Sequence, residues 1–316
     1  MGKKLIITGA YGFLGSYVKK RFLKGGYRET DLFCPRHKNY NLTRLEDVRR
    51  MYNDFKAEQV LHIAADIGGI GYSKNNPGRQ YYNNTLMNTF VLDEAMKAGV
   101  KKFLGIGSVC AYPKFAPIPF QEDDLWNGYP EESNAAYGLT KKMMLEQSKA
   151  YRQQYGFNAI HLVQVNLYGP GDNFDLENSH VIPATIRKID EAKEKGISEV
   201  VMWGDGTPTR EFLFVEDSAE AIFQAMQHYD KPDPVNIGSG TDISIQNLVK
   251  LIGQLMDYSG DFIWDTTKPN GQPKRRLDVS RAQKEFGFQT KVDFTEGLKK
   301  TIEWYYDNIK KNNERG

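Results

Sequence analysis

Cysteine and histidine are scarce in this chain. Its 316 residues include two cysteines, Cys34 and Cys110, and five histidines. Two cysteines cannot build a disulfide framework, and no histidine stands at a metal-ligand spacing from another histidine or from a cysteine. We therefore expect neither a disulfide scaffold nor a bound metal.

Excess charge and long apolar runs are also missing. The chain has 42 basic and 40 acidic residues, a formal net charge of +2, which does not favour nucleic acid as a partner. No apolar run approaches the length of a membrane span. The N-terminus lacks the basic, apolar and small-residue regions of a signal peptide. The sequence therefore predicts a cytoplasmic protein that does not enter a membrane.

The first half contains a regular alternation of short apolar runs and helical patterns. Repeated strand–helix units form parallel sheets that helices cover on both faces. We therefore predict an α/β fold with a Rossmann-type doubly wound parallel sheet. The predicted strands are 4–8, 31–34, 59–63, 102–106 and 159–165, with helices such as 13–23, 44–55 and 84–98 between them.

The second half combines helical patterns with long loops rich in Gly, Pro and Asn. Such loops on a helical scaffold are typical of a substrate-binding part. We predict a dinucleotide-binding domain of residues 1–165 plus about 211–236. A smaller C-terminal α/β substrate lobe takes residues 166–210 plus 237–316.

A glycine-rich turn follows the first predicted strand and opens the first helix. Glycines let the backbone approach a pyrophosphate, and the free N–H groups of a helix start attract the anion. The spacing alone is also typical of a purely structural turn. Between a strand and a helix it predicts a dinucleotide site made of Gly9, Gly12, Phe13, Leu14 and Gly15.

The end of the second predicted strand bears on which dinucleotide binds. NAD sites usually place an Asp or Glu there to bind the ribose hydroxyls. This chain instead has a basic stretch, 34–38, with the sequence Cys-Pro-Arg-His-Lys. Positive charge can pair with a 2′-phosphate, so we predict NADP(H), with Arg36 as its ligand. The alternative is a solvated basic loop, which leaves NAD possible.

Three residues have the order expected of a catalytic cluster. Tyr137 and Lys141 lie one helical turn apart on the same face. A neighbouring ammonium and the positive nicotinamide ring can lower the pKa of a tyrosine into a useful range. Ser108 ends the fourth strand, where side chains face the cofactor crevice. The order Ser108, Tyr137, Lys141 predicts proton transfer to or from a substrate oxygen.

Longer motifs make the chain similar to a known family. It resembles the extended short-chain dehydrogenase/reductase family over nearly its whole length. Within that family it is most similar to the epimerase–reductases that act on GDP-4-keto-6-deoxy-mannose. The motifs are Gly-Ser-Val-Cys-Ala-Tyr-Pro-Lys at 107–114, Asn-Leu-Tyr-Gly-Pro-Gly-Asp-Asn-Phe at 166–174, Asn-Ser-His-Val-Ile-Pro-Ala at 178–184, Trp-Gly-Asp-Gly-Thr-Pro-Thr-Arg-Glu-Phe at 203–212 and Gly-Gly-Ile at 68–70.

The resemblance implies inversion of C3 and C5 of the sugar, followed by reduction of the C4 ketone with NADPH. It makes Tyr137 the proton donor to the C4 oxygen, assisted by Ser108 and Lys141. It makes Cys110 the base at C3 and C5, and His180 the acid on the opposite face. Taken alone, a cysteine or a histidine at such a position is more often a packing or capping residue.

The resemblance also implies binding residues and a homodimer. Asn166, His180, Tyr137 and Lys141 contact the cofactor. The GDP-linked sugar is bound by Lys188, Trp203, Arg210 and Arg275. Either Arg275 or Arg276 contacts the diphosphate, because the sequence of the basic run does not determine which of the two faces the site. A core position is the alternative for Trp203.

The chain departs from the family pattern at several positions. Tyr11 stands where a basic residue is usual, which removes one expected contact to a 2′-phosphate. Val109 replaces a small hydroxyl residue, and Asp66 replaces a basic one. Residues 69–72 also resemble GDP-mannose 3,5-epimerases, which retain NAD. The alternatives are therefore a GDP-sugar C4 reductase without epimerisation, for example on a 6-deoxy-heptose, an NAD-retaining epimerase, or a non-catalytic NADP(H)-binding regulator.

Overall fold

A computed structural model describes residues 3–268 and 270–310 of the chain. Its strands are β1 (Leu5–Thr8), β2 (Leu32–Phe33), β3 (Gln59–His62), β4 (Lys102–Ser108), β5 (Ala159–Gln164), β6 (Asn166–Tyr168), β7 (Glu199–Trp203), β8 (Thr209–Phe214), β9 (Val235–Ile237), β10 (Asp242–Ser244) and β11 (Asp261–Asp265).

The helices alternate with these strands along the chain. They are α1 (Phe13–Lys24), α2 (Leu45–Asp54), α3 (Ile70–Asn75), α4 (Pro77–Lys97), α5 (Ala135–Tyr155), α6 (Val181–Glu194), α7 (Val215–His228), α8 (Ile245–Leu255), α9 (Ser280–Phe286) and α10 (Phe294–Tyr305). Short 3₁₀ turns cover 29–31, 109–111 and 122–126, and a π-helical turn covers 306–310.

Six strands form one parallel sheet in the order β2-β1-β3-β4-β5-β9. From β1 the chain moves to β2 on one side, then crosses back to β3 on the other. The connections diverge between β1 and β3, which opens a crevice at the carboxyl ends of the strands. The predicted doubly wound parallel sheet is confirmed.

Apolar cores cover both faces of this sheet. On one face α1 packs against α7, with Val18, Phe22 and Ile222 fully buried. On the other face α4 packs against α2 and α5, with Val91 and Leu92 fully buried. The sheet is apolar on both sides because helices cover both sides.

The second half contains more β-structure than the sequence revealed. β8 pairs in parallel with β6 and antiparallel with β10, and β7 pairs in parallel with β11. A third apolar core, which includes Ile186, Leu248 and Leu298, packs α6, α8 and α10 together with β8. These strands have three to six residues, too short for a clear periodic pattern. The helix predicted at 84–98 begins earlier, at Pro77, a residue favoured in the first helical turn.

The predicted two-part division remains a prediction, and residues 1, 2, 269 and 311–316 of its ranges lie outside the described residues. One part of it does not match the packing. Residues 280–288, assigned to the substrate lobe, pack in the core of the parallel sheet, where α9 contacts α7 and β9.

The described residues contain neither a metal-binding cluster nor a membrane-spanning helix. Within 3–268 and 270–310, no group of three or more His, Cys, Asp or Glu side chains is arranged to hold a metal. No helix in the same residues is long and apolar enough to cross a membrane.

Candidate active site

The glycine turn brings β1 and α1 into close contact. Gly9 has a φ of +73°, and a Cβ placed there would lie 2.8 Å from the Ala64 nitrogen. A Cβ at Gly15 would lie 2.0 Å from the Gly9 carbonyl oxygen. Gly12 caps α1, so that Phe13 and Leu14 begin the helix with amides that have no partner one turn back. This backbone cradle fits the pyrophosphate of a dinucleotide.

Arg36 lies beside this turn. Its guanidinium carbon is 3.7 Å from the centre of the Tyr11 ring, so the two side chains stack. Both residues are exposed. A stacked guanidinium keeps its N–H edge free to bind a phosphate. Tyr11, which replaces the usual basic residue of the turn, therefore orients a different basic residue.

Ser108, Tyr137 and Lys141 come together where β4 ends against the start of α5. The Lys141 Nζ lies 5.6 Å from the centre of the Tyr137 ring. Ser108 Oγ accepts a hydrogen bond of 3.2 Å from the Cys110 amide. Burial raises the pKa of Tyr137, and Cys110 raises it further, while a hydrogen bond with Ser108 lowers it.

Burial also shifts the pKa of Lys141, which it lowers to about 8. The protein's own groups therefore do not produce the expected lowering of the pKa of Tyr137. The cause is the loss of hydration around the buried phenol, which outweighs the neighbouring side chains.

A buried polar chain that the sequence analysis missed links β1 to α5. Thr8 Oγ1 accepts from the amides of Ile63 and Ala64, so its single hydrogen goes to His62 Nδ1 at 2.7 Å. His62 Nε2 then donates to Asn88 Oδ1 at 3.1 Å. Asn88 Nδ2 donates to the Thr140 carbonyl at 3.2 Å, next to Lys141. These contacts fix the catalytic helix relative to the glycine turn, and neither their spacing nor their residue types signal the link.

Cys110 lies in the turn directly after β4, and a basic residue from the far end of the chain contacts it. The Arg275 Nη1 donates to Cys110 Sγ at 3.6 Å. Arg276, in contrast, lies 3.5 Å from the Asp242 carboxylate. Arg275 thus faces Cys110 while Arg276 faces a carboxylate, and the diphosphate contact of Arg275 stays a prediction.

Arg210, on β8, lies near Arg275, and we call these two arginines the positive wall of the site. Burial and the neighbouring Arg275 lower its pKa to about 9, while Cys110 and the buried Glu131 act in the opposite direction. The guanidinium remains protonated at neutral pH. Its Nη1 and Nη2 donate to the Thr209 and Asn270 carbonyls at 2.7 and 3.1 Å. Glu131 was not singled out by the sequence, because isolated acidic residues before a helix are common.

His180 is the N-cap of α6 and stands next to a loop that reaches over from the parallel sheet. The Gly69 amide donates to the Asn178 carbonyl at 2.8 Å, which ties the Gly-Gly-Ile loop to the start of α6. The surrounding protein lowers the pKa of His180, although its side chain stays accessible. The imidazole can accept a proton and, as the imidazolium, donate one.

The remaining predicted binding residues divide into free and engaged side chains. Trp203 ends β7 with 46% of its surface exposed, so it is not a core residue. Lys188 Nζ donates to the Val201 carbonyl at 2.8 Å, and burial lowers its pKa. Asn166 Nδ2 donates to the Glu211 carbonyl at 2.9 Å. Of the three, Trp203 is thus the exposed side chain, and the Lys268 Nζ lies 5.7 Å from the centre of its ring.

Comparison with known proteins identifies relatives along the whole chain. Residues 5–238 match the NAD dependent epimerase/dehydratase family. A probable GDP-L-fucose synthase 1 from Oryza sativa subsp. japonica is 40% identical over 309 residues, which cover 98% of this chain and 93% of the rice protein.

Solved structures share the fold. A GDP-6-OMe-4-keto-L-xylo-heptose reductase from C. jejuni superposes with a TM-score of 0.90 at 27% identity, covering 97% of this chain and 98% of that one. A GDP-L-fucose synthetase from Naegleria fowleri bound to NADP gives a TM-score of 0.87 at 25% identity, covering 98% and 96%.

Proposed function

The chain belongs to the NAD dependent epimerase/dehydratase family, and we propose that it is an NADPH-dependent enzyme that epimerises and reduces a GDP-4-keto-6-deoxy-hexose. The observation that carries this proposal is the convergence of two groups at the end of β4. Ser108, Tyr137 and Lys141 form a site that can donate a proton. Cys110 lies in the 3₁₀ turn that directly follows β4. The activity of the fucose synthases among its relatives supports the same reaction.

Reduction at C4 needs a proton source for the sugar oxygen. NADPH, when bound, supplies the hydride. The Tyr137 hydroxyl donates the proton and Ser108 holds the same oxygen by a hydrogen bond. The Lys141 Nζ, 5.6 Å from the centre of the Tyr137 ring, is placed to favour the resulting phenolate by its charge. Lys141, Asn166 and His180 would contact the cofactor when it is bound.

Epimerisation at C3 and C5 needs a base on one face of the sugar and an acid on the other. The proton next to a ketone is acidic, so the Cys110 thiolate removes it while Ser108 and Tyr137 stabilise the enolate oxygen. His180 returns a proton to the opposite face. The same pair then acts at the second carbon.

The nucleotide part of the substrate binds to the positive wall of Arg210 and Arg275 and to Trp203. Arg210 pairs with the diphosphate, since a guanidinium matches two phosphate oxygens at once. Trp203 offers an exposed face for the guanine ring, and Lys188 and Arg275 complete the binding site. NADP(H) rather than NAD is supported by Arg36 stacked on Tyr11 and by the NADP bound to the Naegleria relative.

The exposed apolar side chains of α4 and α5 support a homodimer. Tyr81 and Tyr82 on α4, and Met143 on α5, are each at least 45% exposed, and the two helices pack side by side. Covering these side chains with a second copy removes them from water. We place the enzyme in the cytoplasm, where nucleotide sugars and NADPH are available.

The proposed reaction is tested by incubating the protein with GDP-4-keto-6-deoxy-mannose and NADPH in deuterated water. We expect NADPH oxidation, with deuterium at C3 and C5 of the product. Tyr137→Phe is expected to lower the rate of NADPH oxidation at least about 100-fold while cofactor binding persists. Normal turnover by this variant would contradict Tyr137 as the proton donor, whereas NADPH binding without turnover by the parent protein would support the non-catalytic regulator.

A second candidate function is C4 reduction without epimerisation. The similarity to the heptose reductase from C. jejuni favours it. The same experiment separates the two, because a plain reductase oxidises NADPH without deuterium entering C3 or C5. Tightly bound NAD in the purified protein, identified by mass spectrometry, would instead favour the retained-cofactor epimerase.

A further inference from the structure

The contact between Arg275 and Cys110 has a chemical consequence. We propose that Arg275 is a catalytic residue of the epimerisation step, where its guanidinium stabilises the Cys110 thiolate, and that Gln272 positions it. The proposal rests on the proposed function, because it assigns Cys110 the role of base. It separates the residues required for epimerisation from those required for reduction.

Arg275 is a buried cation with an unusual set of partners. Its exposed fraction is 5%. Within the residues that the structure describes, no carboxylate oxygen lies within 4.0 Å of it. Its side chain donates to Gln272 Oε1 at 2.8 Å and to Cys110 Sγ at 3.6 Å. A buried charge is costly unless it is paired. The Cys110 sulfur, as a thiolate, supplies the negative charge that pairs with this guanidinium.

Gln272 holds both members of the pair. Its side chain is 2% exposed, and Nε2 donates to the carbonyls of Pro113 and Lys114 at 3.2 and 2.8 Å. These carbonyls belong to the segment directly after Cys110. Because the amide nitrogen must face two acceptors, Oε1 is fixed towards Arg275 Nε. One side chain thereby sets the guanidinium and the thiol at a defined distance.

Arg276 provides the matched comparison. It is the next residue along the chain, carries the same charge, and pairs with Asp242 away from the thiol. Removing either arginine changes the net charge equally. Only removal of Arg275 removes a donor from the sulfur.

The chemical step balances without a further reagent. As the C–H bond at C3 or C5 breaks, the Cys110 sulfur forms an S–H bond, and the electron pair moves to the C4 oxygen as an enolate. His180, as the imidazolium, then supplies the proton that forms the new C–H bond on the opposite face. Solvent takes the proton from the Cys110 thiol and returns one to His180 before the next carbon is inverted. Reduction at C4 uses Tyr137 and Lys141, and no hydrogen bond joins either of them to Arg275 among the described residues.

The first measurement needs no substrate. Alkylation of each cysteine by iodoacetamide at pH 7.5 is followed by peptide mass spectrometry, with Cys34 as the internal reference. Arg275→Gln is expected to slow modification of Cys110 about tenfold, because the thiolate is the reacting form. Gln272→Leu, which keeps the guanidinium, is expected to slow it about threefold. Arg276→Gln is the control and should leave the rate unchanged.

Two outcomes contradict the inference. If Cys110 reacts as fast in both Arg275→Gln and Gln272→Leu as in the parent protein, the guanidinium does not support the thiolate. If Arg276→Gln slows Cys110 as much as Arg275→Gln does, the effect comes from general charge. Faster labelling of Cys34 identifies a variant whose fold has opened, and Arg275→Lys then replaces Arg275→Gln.

The second measurement uses the 4-keto sugar and NADPH in deuterated water. Arg275→Gln is expected to lose at least about 100-fold in deuterium entry at C3 and C5, and the NADPH oxidation that follows epimerisation falls with it. The alkylation rate of Cys110, which needs no substrate, separates this loss from weaker substrate binding. Equal exchange by this variant and the parent overturns the inference and leaves the proposed function intact. If the parent exchanges no deuterium while the alkylation result holds, the epimerase assignment fails and the pairing stands.

Discussion

At the residue scale, removal from water governs the ionisation of the central pair. Tyr137 and Lys141 are both buried, and burial is the largest influence on each. It raises the pKa of the phenol and lowers the pKa of the amine, so both neutral forms are favoured. A proton therefore stays on Tyr137 until a substrate oxygen can accept it, which suits a proton donor.

The pKa of Lys141, lowered to about 8, predicts a pH dependence. The amine is protonated below this pH and neutral above it, so kcat/KM for C4 reduction should fall about tenfold per pH unit above pH 8. This parameter reports ionisations of the free enzyme. Lys141→Arg keeps its charge, so any activity it retains should lack this fall. A parent profile that stays flat to pH 10 would contradict a role for the ammonium.

At the element scale, the contact of β1 with α1 decides whether the dinucleotide cradle exists. Gly15 lies in the first turn of α1, directly over the Gly9 carbonyl. The close approach is needed because the pyrophosphate must reach the amides at the start of the helix. The polar chain from Thr8 through His62 and Asn88 extends the same rigidity to α5.

Gly15→Ala should separate these two elements. The added Cβ would lie 2.0 Å from the Gly9 oxygen, so the helix must move. We expect a loss of about 3 kcal/mol in the free energy of unfolding and at least about tenfold weaker NADPH binding. Urea denaturation and fluorescence titration measure the two effects.

Gly78→Ala is the matched control for this change. It is also in the first turn of a helix, α4, but nothing lies within 4 Å of the added Cβ. It should raise the free energy of unfolding by about 0.5 to 1 kcal/mol, since it restricts the unfolded chain. Equal effects of the two substitutions would show that crowding at Gly15 is unimportant.

At the scale of the whole molecule, two buried histidines make the fold sensitive to acid. Burial lowers the pKa of both His62 and His161 to about 3, and the charge of Lys141 adds to the effect. The unfolded chain binds a proton at each below about pH 6.5, whereas the folded chain does not. Their contribution to stability is complete above pH 6.5 and is lost as the pH falls towards 3.

His161→Gln should reduce this acid sensitivity. Each such histidine contributes a slope of up to about 1.4 kcal/mol per pH unit to the free energy of unfolding between pH 4 and 6. Urea denaturation at several pH values in this range should give a slope lower by about that amount in the variant. His228→Gln, which removes an exposed histidine, is the control. Parallel slopes for the parent and His161→Gln would mean that His161 is protonated in the folded state.

The sequence by itself determined the features that depend on neighbours along the chain. The strand, glycine turn and helix at 5–24 follow from local periodicity, and the spacing of Tyr137 and Lys141 follows from one helical turn. Repetition of such units was enough to predict the parallel sheet. Each of these signals lies within about 20 residues, so no long-range pairing had to be known.

Only the tertiary structure decided which distant side chains meet. Arg275 and Cys110 are 165 positions apart, and whether Arg275 or its neighbour faces the thiol depends on how its segment docks against β8. The stacking of Arg36 on Tyr11 and the short strands of the second half depend likewise on pairing across loops. A one-residue shift in an extended segment turns each side chain to the opposite face, and a single sequence does not specify that register.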